Sequence, residues 1–113
     1  MADLSIQDVT ESGLNATYSA AEAGGDTFDN DSSNRTFLHV KNGDGSQHTV
    51  TVTPIDATKE VQGYGIMEKS TVSVDVPAGE ERFIGPFPRA AFGGDPDITY
   101  DDVTSVTIAA LKV

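Results

Sequence analysis

Two histidines, His39 and His48, are the only imidazoles in a chain of 113 residues that has no cysteine. Nucleophilic catalysis would therefore fall to a serine or threonine with a histidine base, and neither histidine sits in a recognisable nucleophile motif. The carboxylate pairs Asp101-Asp102 and Glu80-Glu81 are sequence neighbours, and on a strand neighbours point to opposite faces. There is no glycine-rich phosphate loop. Asp29, Asp31 and Ser33 have the D-x-D-x-S opening of a calcium loop. The sixth position, however, is Asn34 instead of glycine, and the twelfth is Val40 instead of glutamate. Asn42, Asp44 and Ser46 repeat the opening and fail at the same two places, with Gln47 and Thr53. In so acidic a chain both stretches are expected to be solvated loops. The expectation is a protein that is not an enzyme and uses no cofactor.

Charge narrows the partners. Eighteen acids against seven bases give a net charge of -11, and twelve of the acids are aspartate. Such a surface repels itself at low salt, and near 1 M salt the screening length falls to about 3 Å. Short carboxylates with few lysines suit a salt-saturated environment, so a halophilic origin is expected. Nucleic acid is not expected as a partner, because neutralising phosphates needs a basic stripe that the chain lacks. A membrane partner is likewise not expected. No apolar run approaches the roughly 20 residues of a spanning helix, and "MADLSIQDVT" has neither the basic nor the apolar part of a signal peptide.

The elements that must position these side chains repeat with a period of two. "STVSVDV" puts Val72, Val74 and Val76 on one face, and "HTVTVTP" does the same with Val50 and Val52. "RTFLHVK" sets Leu38 and Val40 against Phe37 and His39. "SVTIAALKV" alternates at Val106 and Ile108, then turns apolar on both faces, as a central strand or a subunit contact would. Leu4 to Val9, Leu14 to Ser19 and Ile98 to Asp102 read as shorter strands. Turns fall at "NGDGS", "PAGE" and "GGDPD". The pattern predicts one all-β domain over residues 1–113, a small antiparallel β-sandwich, jelly-roll-like or Ig-like, of about six to eight short strands. A hairpin at "NGDGS" with Lys41 opposite Gln47 places Leu38 opposite Val50 and sends the two histidines to opposite faces.

"VPAGEERFIGPFPRAAF", residues 76–92, gathers three of the five phenylalanines and three of the five prolines. Pro86 must end the strand that begins at Glu81, since it has no donor for the ladder. The expectation is Phe83 turned inward, with Phe87 and Phe92 available outward on stiff chain as anchors for a partner. Tyr64, Ile66 and Met67, in the long connection 55–70, form a second candidate contact.

At these residues a family resemblance appears. "FLHVKN" at 37–42, "VPAGEER" at 76–82, "IGPFP" at 84–88 and the closing stretch 100–113 together resemble the small capsid decoration, or cement, proteins of tailed viruses of the HK97 type. With the acidic surface, the resemblance points to a haloarchaeal tailed virus. It implies a chain carried on the outer capsid surface of the virion, bound to the major capsid protein and stabilising an icosahedral head. It also implies a homo-oligomer, a trimer before a pentamer. Another virion component, such as a turret or fibre base or a head–tail connector, and a carbohydrate-binding sandwich are the rival readings.

Overall fold

The structure, a computed structural model, describes residues 2–30, 33–54, 58–61, 63, 65–68 and 70–113. Side chains of residues 2, 58–61 and 65–68 are outside that description. Among the described residues, twelve strands and one helical turn follow one another. They are β1 (Ala2–Leu4), β2 (Ile6–Asp8), β3 (Ser19–Ala20), β4 (Asp26–Phe28), β5 (Thr36–Asn42) and β6 (His48–Thr53). After these come β7 (Thr58–Val61), β8 (Gly65–Glu68), β9 (Val72–Val76), β10 (Glu81–Ile84), α1 (Arg89–Phe92), β11 (Asp97–Tyr100) and β12 (Val106–Lys112).

Ten of the strands form two sheets. The first runs β1-β4-β11-β6-β9, and the second runs β10-β5-β12-β2 with β3 also paired to β12. Two of the pairs, β1 with β4 and β2 with β12, are parallel, so the sandwich is mixed and not purely antiparallel. β7 and β8 make a separate hairpin where the sequence suggests only a connection, because neither Thr58–Val61 nor Gly65–Glu68 alternates apolar with polar residues. The short β4 and the turn α1 also go unannounced in the sequence. Three residues are too few to display a period.

The core lies between the sheets. From the first come Phe28, Val50, Val52, Val76 and Ile98, and from the second Leu38, Val40, Ile84, Val106, Ile108 and Ala110. Each buried aliphatic or aromatic side chain contributes about 1.5–3 kcal/mol through apolar surface removed from water. The alternation read at β6, β9 and the start of β12 is the observed one, with burial switching residue by residue. β12 is central, lying between β5 and β2. This explains its second apolar row, since Ala109 and Leu111 are buried without belonging to the cluster between the sheets.

The expected hairpin at "NGDGS" does not form. β5 pairs with β10 and β12, and β6 pairs with β11 and β9, so residues 43–47 cross from one sheet to the other. Period-two patterning states that one face of each strand is buried, and it holds equally for two strands beside each other or facing each other across a core. Side chains settle the matter here. Asn42 Nδ2 donates to Ser46 O at 2.8 Å and to Val76 O at 2.9 Å, while Asn42 Oδ1 accepts from Asp44 N at 3.0 Å. Gly43 N donates to Ser105 O at 2.8 Å. These bonds tie the arch to both sheets and commit the Asn42 side chain, the first residue of the second calcium-like opening, to the backbone.

Candidate functional site

The stretch 76–92 folds with its aromatics reversed from the sequence expectation. Glu80 N bonds back to Pro77 O at 3.0 Å, closing the expected turn, and β10 follows. Arg82 and Ile84 then lie opposite Val40 and Leu38 on the core side, and Glu81 and Phe83 lie opposite Lys41 and His39 on the outer side. Phe83 is 68% exposed, whereas Phe87 and Phe92 are 1% and 3% exposed. Phe87 packs on Phe28 with ring centroids 5.3 Å apart and on Phe92 at 5.0 Å. Its N–H reaches Thr36 O at 3.0 Å, which holds it over the open end of the sandwich. Phe87 and Phe92 are therefore core residues and not outward anchors. The alternation "ERFI" was ambiguous, since each of its two faces carries one charged and one apolar residue.

Of the second candidate contact, Tyr64 lies outside the described residues, as do the side chains of Ile66 and Met67, whose backbones belong to β8.

The exposed Phe83 is built into the outer face of the second sheet. Its ring stacks on His39 with centroids 4.1 Å apart and planes 12° from parallel, and Phe37 lies 6.0 Å away. His39 is buried and held at both nitrogens, with Tyr18 Oη 2.5 Å from Nδ1 and Glu81 Oε1 3.0 Å from Nε2. When Nε2–H donates to the Glu81 carboxylate, Nδ1 is left to accept from the Tyr18 hydroxyl. Lys41 Nζ sits 4.0 Å above the Tyr18 ring, a cation–π contact that fixes the tyrosine from its other side. Phe83 thus rests on a locked ring and not on mobile chain. Sequence reasoning missed it, because Glu81 with Phe83 and Arg82 with Ile84 give the two faces of the strand the same make-up.

Beside Phe83 opens an apolar groove of about 300 Å³ whose lining includes Arg35, Phe37, Ile84, Pro86 and Val113. Gly85 shapes its floor. It has φ 139°, and a Cβ there would lie 2.8 Å from Phe37 Cβ and 3.0 Å from Phe37 Cα. Gly85→Ala is expected to destabilise the fold by about 1–3 kcal/mol from backbone strain alone. The clash with Phe37 adds to this, and a urea titration measures the sum.

The other titratable clusters sit elsewhere. His48 is buried at the start of β6, with Nε2 2.9 Å from Asp44 Oδ2 and Nδ1 3.5 Å from Asp101 Oδ1. The two histidines lie on different sheets and share no partner. Of the first calcium-like opening, Asp29 and Ser33 are among the described residues. Asp31 is outside the described residues, and Ser33 Oγ accepts from Arg35 N at 3.2 Å. Asp29 meets Asp3 and Asp95, with one carboxylate oxygen of each within 4.8 Å of the others. Local desolvation, with the charges of Asp3 and Asp95, raises the Asp29 pKa above its ordinary value. On the first sheet, the buried Asp26 accepts a hydrogen bond from the Tyr100 hydroxyl at 2.7 Å. Comparison of the chain with family models, curated proteins and solved structures finds no match.

Proposed function

We propose that this chain is a viral structural protein, a decoration protein that binds the outer surface of an icosahedral tailed-virus head and stabilises it. The outer face of the second sheet would be the attachment face. One observation supports this reading above the others. The large hydrophobic side chains left exposed among the described residues are Val9, Leu14, Phe83 and Val113, and three of them, Val9, Phe83 and Val113, lie in strands of that sheet or directly after one. Phe83 and Val113 line one groove. Val9 N donates to Lys112 O at 2.9 Å, which sets it beside Val113. Leu14 belongs to the segment that Gln7 fastens through two 2.8 Å bonds to Thr17.

Apolar side chains held in water on a rigid scaffold are what a binding surface requires. A cement protein needs no bond-making chemistry. It needs a stiff body and many copies, so that modest contacts add. The acidic remainder of the surface keeps unbound copies apart and fits a haloarchaeal source.

The test is replacement of Phe83 by serine. The side chain is mostly exposed and its close contact is the stack on His39, so folding stability is expected to fall by about 0.5–1.5 kcal/mol, which leaves the chain folded. Losing one buried aromatic contact per copy is expected to weaken attachment by about 10-fold or more. The number of copies retained on purified heads after dilution measures it. Heads that keep their full complement of Phe83→Ser chains would rule out this face.

A further inference from the structure

The groove beside Phe83 has one polar feature of a different kind from its walls. Arg35 is exposed at its edge, and among the described residues its guanidinium has neither a hydrogen bond nor an ion pair. Its N–H is placed by Ser33 Oγ, and the preceding Asn34, at φ 60°, donates no freedom to the turn, because its Oδ1 accepts from Arg89 N at 3.1 Å. A fixed backbone therefore presents a free guanidinium next to Phe37, Phe83, Pro86 and Val113. In a chain of net charge -11, a cation without a partner is conspicuous. β10 also ends its sheet, so the groove runs beside a strand with an open side.

Resting on the attachment reading, we infer that the groove takes an extended protein segment in which an apolar side chain is followed by a carboxylate. The apolar side chain fills the groove between Phe83 and Val113, and the carboxylate meets Arg35. Guanidinium matches a carboxylate through paired, charge-assisted hydrogen bonds, which select an aspartate or glutamate over its amide. The open side of β10 leaves room for the segment to lie extended along the strand. The net charge of -11 sets copies of this chain against one another and favours a separate partner over a second copy.

The probe is N-acetyl-leucyl-aspartyl amide, titrated into the ¹⁵N-labelled full chain and compared with its asparaginyl counterpart. Binding is expected to move the amide signals of Phe83, Gly85 and Val113 and the Nε–H signal of Arg35. The aspartyl form is expected to bind about threefold more tightly, the size of one exposed ion pair. Arg35→Gln should erase that preference while leaving the apolar contact, and Phe83→Ser, with its spectrum otherwise dispersed as in the parent, should abolish both. Equal affinity for the two dipeptides overturns the inference, as do shifts confined to other surfaces. Self-association lost in Phe83→Ser, seen by light scattering, also overturns it by making a second copy the occupant. If heads release Phe83→Ser chains while the dipeptides are bound alike, the attachment reading stands and this inference fails. If the aspartyl probe is preferred while heads retain the variant, the groove chemistry stands and the attachment reading fails.

Discussion

Replacing Phe87 by alanine is expected to destabilise the protein by about 3–5 kcal/mol, the range for deleting a buried phenylalanine. The ring is fully enclosed and lies between Phe28 and Phe92 at centroid distances of 5.3 and 5.0 Å. Neither neighbour can relax into the vacated space without giving up its own contacts. Phe28 sits on β4, and Phe92 is carried by the turn α1, whose N–H groups at Ala91 and Phe92 bond to Pro88 O at 3.0 Å. Total stability for a domain is about 5–15 kcal/mol, so such a loss is a large fraction of it. The shift in urea midpoint measures it. Phe87→Leu, which keeps most of the volume, is expected to lose less than half as much. A Phe87→Ala chain as stable as the parent would contradict the burial of this ring. The contrast with Phe83→Ser separates the aromatic that holds the fold from the aromatic that faces a partner.

The second large effect appears at alkaline pH. Burial, followed by the hydrogen bond and charge of Asp26 and the charge of Glu22, holds the Tyr100 pKa far above the ordinary tyrosine range. In the unfolded chain the same phenol ionises near pH 10, at about its reference value. The folded pKa is the higher one, so the stability from this group is fully present below about pH 10. It is lost as pH rises further, because the unfolded state releases a proton that the folded state keeps. The expected slope is about 1.4 kcal/mol for each pH unit above that point. Urea midpoints between neutral and strongly alkaline pH measure it, with Tyr100→Phe as control. The variant should start lower by about 1–3 kcal/mol, because the buried Asp26 carboxylate loses a donor. Its alkaline slope should then be shallower than the parent's. Equal slopes in the two chains would show that Tyr100 is not the group responsible.

Much of the architecture can be traced to individual residues. Val50 and Val52, Val72 to Val76, Leu38 with Val40, and Val106 with Ile108 occupy the faces that their spacing requires, because a strand buried on one side must alternate. The double apolar row at Ala109 and Leu111 fitted either a central strand or a subunit contact, and β12 is a central strand. The turn at Pro77–Glu80 and the end of β10 before Pro86 follow from glycine and proline geometry alone.

The sequence by itself therefore determined the long strands β5, β6, β9 and β12, which of their faces meet a core, and that the molecule is an acidic β-sandwich, whereas the short β4 and the β7–β8 hairpin lay beyond it. Only the tertiary structure decided which strands are neighbours. That is why the "NGDGS" segment is an arch tied by Asn42, and why Asp29 meets Asp3 and Asp95 from distant parts of the chain. It also decided which phenylalanine is buried. A period of two marks the two sides of a strand without naming them, and in "ERFI" both sides look alike. The choice fell to the register against β5, where Ile84 meets Leu38 in the core and Phe83 is left on His39, facing water.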